Sequence, residues 1–291
     1  MKHRINSSVG NGCSNSPKDV RLVQGLLNVY LRREGNQAIA ITGKCDAGTL
    51  STIAMFQKNE QKLLKPDGRI DANGRTFNSL MGVLEGVLKG NQPLIKPAEG
   101  VVTFDSEGTE GGRYHSRILH VPSETSGLTL GRGYDMKEKA TAKIIAEMME
   151  AGVDAKIALL LGKASGKQGT AAKQFIIDND LLDFKITPLV QKGLFEISYI
   201  EESDKVHHLC TRKDVVDKYG ECDWDKMNQK IKEILIDLKF RGDYTSDSRG
   251  YVQEAAADDD LKVFRSVMSD RTKWVKVPQA RFESRKKYLV N

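Results

Sequence analysis

The sequence predicts an α+β protein, mostly helical, with one small sheet. Three observations support this. Apolar residues recur at helical spacing along most of the chain. The one β-like stretch lies between Tyr114 and Asp135, where RILHV (117–121) and LTL (128–130) flank a Pro-Ser-Glu-Thr-Ser-Gly turn. Between the two helical regions, GVLEGVLKGNQPLIKPAEG (82–100) carries repeated glycines and two prolines, which break a helix and mark a boundary. The expected organisation is a three-helix domain over residues 1–81, a linker over 82–97 and a larger domain over 98–291.

The first helix is expected in DVRLVQGLLNVYL (19–31), where Val20, Val23, Leu27 and Leu31 share one face. A short internal repeat follows, TGKCDAGTLSTI (42–53) and DGRIDANGRTFNSL (67–80), each passing from a Gly turn through Asp and Ala into a Thr and an apolar run. Gly and Asn supply the turns, and Thr49 and Thr76 stand near helix starts. Between the copies, Ile53, Phe56 and Leu64 continue the apolar spacing. From about residue 137 the expected helices are 138–152, 155–162, 171–182, 186–200, 225–240, 251–268 and 279–289.

At 291 residues the chain is long enough for two domains, and no run approaches the roughly 18 apolar residues of a membrane span, so membrane insertion is not expected. The start, MKHRINSSVGNGC, has basic residues but no apolar core behind them, so synthesis in the cytoplasm without a signal peptide is expected. Charge is unevenly placed. Residues 1–97 carry 14 Lys and Arg against 7 Asp and Glu, while the rest is balanced at 31 against 32. Such a basic third suits an anionic partner: nucleic acid, membrane surface or bacterial cell wall. No basic stripe interleaved with aromatics appears there, which argues against nucleic acid. Cys13, Cys45, Cys210 and Cys222 make no disulfide framework in a chain this long and are read as unpaired thiols. His207, His208, Cys210 and Cys222 match no structural zinc spacing, and no metal or organic cofactor is expected.

The chemistry-bearing stretch is FDSEGTEGGRYHSRILHVPSETSGLTLGRGYDM (104–136). Glycoside hydrolysis needs a protonated carboxyl at the leaving oxygen and a second group that handles water or the sugar cation. Glu107 follows the apolar VVTF (101–104), where shielding favours a protonated carboxyl. Thr129 lies in a short strand whose alternation can turn its hydroxyl inward. Asp135 follows GRGY, whose glycines let the backbone turn sharply. Duller readings stand beside these: Glu107 as a helix-end carboxylate, Asp135 as the N-cap of a helix near Lys137, Thr129 as a plain strand residue. Asp105, Glu110 and Glu124 are rival acids, and composition does not choose among them.

Two resemblances add to this reading, and the second chooses among the acids. VQGLLN (23–28), TGKCDAGT (42–49), FQ (56–57), PDGRID (66–71) and GRT (74–76) occur in the order seen in the peptidoglycan-binding domain of bacterial wall hydrolases, which residues 6–81 resemble. Lys44-Cys45-Asp46 departs from the large apolar residue usual after that glycine. FDSEG (104–108) and TLGRGYDM (129–136), with LKFRGDYT (238–245) and VPQARFESRKKYL (277–289), resemble the pesticin-like muramidase domain of the phage-lysozyme type. That likeness spans roughly 98–291. It implies a lysozyme-like fold for that domain, with Glu107 as essential acid and Thr129 and Asp135 as water-handling partners. The implied activity is cleavage of the β-1,4 bond between N-acetylmuramic acid and N-acetylglucosamine, with inversion at the anomeric carbon. Phage endolysins and effectors injected into competing bacteria share this arrangement, so a holin or a secretion system is the expected route to peptidoglycan in the periplasm. The chain is expected to be a monomer, with a cognate immunity protein as partner in the effector case. The alternative is a non-catalytic peptidoglycan-binding protein that keeps the fold.

Overall fold

The computed structural model describes residues 3–89, 92–111 and 115–290. Arg113 and Tyr114, where the β-like stretch was expected to begin, lie outside the described residues. Among the described residues the protein is α+β and mostly helical, with thirteen α-helices and two two-stranded antiparallel sheets. In chain order the first elements are β1 (Val9–Gly10), α1 (Pro17–Arg33), α2 (Ala47–Asn59), β2 (Arg69–Ile70), α3 (Arg75–Leu88) and α4 (Val101–Ser106). They are followed by β3 (Thr129–Leu130), β4 (Tyr134–Asp135), α5 (Thr141–Glu150), α6 (Ala155–Gly162) and α7 (Gly169–Asp178). The remainder is α8 (Pro188–Thr211), α9 (Lys213–Tyr219), α10 (Gln229–Arg241), α11 (Ser246–Ala257), α12 (Leu261–Ser269) and α13 (Gln279–Val290). No helix among the described residues is long and apolar enough to cross a membrane.

Contacts gather the chain into two compact units. The first comprises Met1–Leu94 and Thr109–Gln191, the second Ile95–Gly108 and Lys192–Asn291. This is a different partition from the sequence segments 1–81, 82–97 and 98–291.

In the first unit, the two repeats fold by one device. Gln24 of α1 is fully buried; its Oε1 accepts from the backbone N–H of Thr42 and Gly43, and its Nε2 donates to Lys44 O and Thr49 Oγ1. Gln57 of α2 does the same for the second turn, accepting from Gly68 N–H and donating to Arg69 O. Each amide satisfies part-buried backbone groups of a turn, and Gln24 the buried Gly43 N–H besides, fixing the turn ahead of the next helix. Asp46 then caps α2 by accepting from Thr49 N–H at 2.8 Å.

The same unit continues through α5, α6 and α7. Arg32 of α1 pairs with Asp180 at 2.5 Å and Asp183 at 2.7 Å, and Asn28 donates to the same Asp180. The Lys185 ammonium donates to the carbonyls of Val87, Leu88 and Lys89, the open end of α3.

The second unit is built around the buried faces of α8 and α10. Phe104 of α4 meets Phe195 edge-on, with ring centroids 5.0 Å apart. Ile231, Ile234, Leu235 and Leu238 of α10 complete that core with Phe264, Trp274 and Phe282.

Several elements depart from expectation. Leu64 is 100% exposed, because α2 ends at Asn59 and Lys62 adopts φ 58°, so the helical spacing no longer applies to it. The pairing Val9↔Ile70 was not foreseen, since a two-residue strand has no period to detect. RILHV contributes only isolated bridges, Ile118 to Lys185 and His120 to Thr129. The span 251–268 is two helices: Asp259 takes φ 52°, and Asp260 caps α12 through the N–H groups of Lys262 and Val263. α8 runs on to Thr211, with Val206 and Cys210 buried one turn apart, and α9 follows it unforeseen.

Candidate functional site

Thr129 and Asp135 face each other across the hairpin β3–β4. Gly131 and Gly133, with φ 64° and 92°, take the left-handed backbone that this tight reversal requires. Thr129 is buried, and its backbone exchanges two hydrogen bonds with His120, at 2.8 and 3.0 Å. Its hydroxyl donates to Gly127 O at 3.3 Å. The Asp135 carboxylate is held on both oxygens, Oδ2 accepting from Gly127 N–H at 2.9 Å and Oδ1 from Lys137 N–H at 2.8 Å. Only glycine fits at 127: a Cβ there would lie 2.1 Å from Asp135 Oδ1. Asp135 does not cap a helix at Lys137, because α5 begins at Thr141 behind Ala140. Burial holds the His120 imidazole below its ordinary 6.5, against the opposing pull of the nearby Asp135 charge. The hairpin is anchored from behind, where Tyr134 donates to Glu147 at 2.5 Å.

Glu107 belongs to the second unit and closes α4, with its N–H donating to Thr103 O. The duller reading is thus correct as far as it goes, since Glu107 is a helix-end carboxylate. It also has a specific partner. Arg281 of α13 lies 2.5 Å from its Oε1. The same guanidinium reaches Asp237 of α10 at 2.5 Å, and Arg285 meets the other oxygen of Asp237 at 2.6 Å. Asp237 is fully buried. Burial pushes its carboxyl upward, but Arg285 and Arg281 outweigh that and hold it below the usual carboxylate range. Burial alone would weaken the Arg281 charge; Asp237 and Glu107 restore and strengthen it.

The rival acids have separate employment. Asp105 pairs with Lys96 at 2.6 Å, and Glu124 pairs with Lys173. Glu110 joins two buried arginines, Arg117 at 2.9 Å and Arg132 at 3.2 Å, and accepts from Gln191 as well. Sequence reasoning missed Arg281, Asp237 and the Glu110 cluster. One signal for Asp237 was present: an acid inside the apolar run ILIDL (234–238) has to find a cation or a donor when buried.

Fold and side chains together define a mostly helical α+β protein whose candidate acids are held by a buried arginine network and by a glycine-bearing hairpin. The chain belongs to the family described as a domain of unknown function, DUF8812, whose model matches residues 100–286. A search of curated proteins finds no match.

Proposed function

We propose that the protein is a peptidoglycan hydrolase of the muramidase type. Glu107 donates a proton to the glycosidic oxygen, and Asp135 with Thr129 orients and deprotonates the attacking water. The observation carrying this reading is the cross-strand pair Thr129↔Asp135, which puts the two residue types named by the muramidase resemblance side by side on one rigid turn. The Asp135 carboxylate keeps a second lone pair on each oxygen beyond those used by Gly127 and Lys137. Arg281 fixes the direction of the Glu107 carboxyl. This carboxyl faces a cation and not the apolar shielding expected from VVTF, so proton donation requires bound substrate to weaken that ion pair. The basic first third, with its turn-and-helix repeat, tethers the enzyme to anionic wall and raises its local concentration there. Delivery by a holin or a secretion system brings it to the periplasm.

A second reading draws on the same hairpin. Both Asp135 oxygens accept backbone N–H bonds, as in a purely structural aspartate, and this suits a wall-binding protein without catalysis. Release of new reducing ends from purified peptidoglycan separates the two. The hydrolase reading expects reducing ends from the wild-type protein and none from Glu107→Gln, with wall pull-down equal for both. Full activity in Glu107→Gln removes Glu107 from the mechanism, and silence from the wild-type protein leaves the adhesive reading.

A further inference from the structure

Cys210 and Cys222 are the nucleophilic groups of the second unit that the proposed reaction does not use. Cys210 closes the last turn of α8, and Cys222 lies in the segment that follows α9. Both are buried, yet their sulfurs are not packed against hydrocarbon alone. The side-chain amide nitrogen of Gln253 lies 3.4 Å from each sulfur, and Tyr244 Oη stands 3.6 Å from Cys210 Sγ. Tyr244 in turn donates to Gln253 Oε1, which fixes the amide with its nitrogen toward the sulfurs. The two sulfurs thus share one donor, the Gln253 amide nitrogen, which brings them into one neighbourhood. They also share a wall of one cleft of about 330 Å³, whose rim is formed by Thr211, Lys213, Asp217 and Glu221. Two thiols that share one side-chain donor and one wall of a solvent cleft are an arrangement that hydrophobic packing does not require.

We propose that Cys210 and Cys222 form a redox pair that closes to an intramolecular disulfide in the folded protein when a low-molecular-weight disulfide oxidant reaches the cleft. Cys210 is the attacking sulfur. As a thiolate it attacks one sulfur of the oxidant disulfide, forming a mixed disulfide and releasing the other half as a thiolate, which takes up the proton Cys210 gave. Cys222 then loses its proton and attacks the Cys210 sulfur of the mixed disulfide, and the second oxidant half leaves as a thiol. The cysteines together give up two electrons and two protons, and the oxidant disulfide is reduced to two thiols. The order follows from the environment. Cys210 has two side-chain donors beside its sulfur, Tyr244 and Gln253, where Cys222 has Gln253 alone. The proximity of Cys222, with these donors, holds Cys210 below the ordinary thiol range against burial. The nearby Cys210 and burial push Cys222 up.

The bond would tie the end of α8 to the segment after α9 and close a loop that contains all of α9. Cross-linking across such a loop restricts the unfolded chain, so the oxidised form is expected to be the more stable one. The inference is independent of the muramidase reading, since it concerns no residue assigned to hydrolysis.

The test uses the full chain with Cys13→Ser and Cys45→Ser, which removes the two partly exposed thiols and leaves the pair intact. The native protein is equilibrated with oxidised glutathione, then examined by intact mass, peptide mapping and thermal melting. The expected result is loss of two hydrogens, a cross-linked peptide joining Cys210 to Cys222, and a melting midpoint raised by several degrees that dithiothreitol reverses. Two free thiols after equilibration, or a stable glutathione adduct on Cys210 without ring closure, overturns the proposal. With Cys222→Ser added, Cys210 is expected to stop at the glutathione adduct. An unreactive Cys210 in that variant overturns its role as the attacking sulfur.

Discussion

The guanidinium of Arg281 is divided between Glu107 and Asp237, contacting an oxygen of each at 2.5 Å. One planar cation thus links the end of α4 to the middle of α10, and the direction of the Glu107 carboxyl depends on a residue 174 positions later. Arginine does this because its donors project in fixed directions, whereas a lysine ammonium has no fork to divide.

Arg281→Lys is therefore expected to cut hydrolysis of purified wall by about tenfold or more, through a misdirected Glu107, with wall pull-down unchanged. Arg285→Lys is the control, since Arg285 contacts Asp237 and Asp243. It should cost stability while sparing most of the turnover in the folded fraction. Equal turnover in both variants would show that the Arg281–Glu107 contact does not serve catalysis.

Asp237→Asn leaves two buried guanidinium groups short of charge compensation. Breaking a buried ion pair from one side costs about 3–5 kcal/mol. The variant should shift the urea midpoint of the second unit strongly downward, followed by fluorescence of Trp224 and Trp274, both in that unit.

Gly127→Ala places a methyl group against the Asp135 carboxylate. Either the hairpin shifts or the carboxylate gives up its bond to Gly127 N–H, at a cost of about 1–3 kcal/mol. Wall hydrolysis should fall together with stability. Asp135→Asn turns one of the two accepting oxygens into an NH2 that faces a backbone N–H, of Gly127 or of Lys137, so it too should lower hydrolysis and melting temperature together.

Acid should weaken the two units in different ranges. In the first unit, burial holds His3 at about 4 and His115 and His120 below the ordinary 6.5. Unfolded histidines take up protons first as the pH falls through 6.5. The unfolded state then binds more protons than the folded one, and stability is lost progressively below that pH. In the second unit, Asp237 has a folded value below its ordinary 3.8, so its contribution is complete at neutral pH and disappears only as the pH falls below about 4. Hydrogen exchange at pH 7, 5.5 and 4 should show protection falling first around His115 and His120. A flat profile across that range in the first unit contradicts the expected acid-side loss.

Gln24→Ala should destabilise the first unit by about 1–3 kcal/mol, because it leaves the buried Gly43 N–H without a partner. Gln57→Ala should cost less, because the Gly68 and Arg69 groups it serves are only part-buried. Thermal melting measures the loss. A neutral effect at either site means that water replaces the amide.

The sequence by itself determined what local chemistry can write. Val20, Val23, Leu27 and Leu31 are all buried as their spacing requires, and 155–162 is a helix to the residue. The GRG turn brought Thr129 opposite Asp135, since Gly131 and Gly133 take positive φ without the steric cost a Cβ would add. Tertiary structure decided the rest. It split 251–268 after Ala257, where Asp259 takes φ 52° with its carboxylate accepting from the distant Asn228 N–H, and left Leu64 in solvent once its helix had ended. It gave Glu107 a partner from α13 and set Asp237 between two arginines. Pairings across such sequence distances leave no periodic trace, because an ion pair is chosen by which surfaces are buried together and not by spacing along the chain.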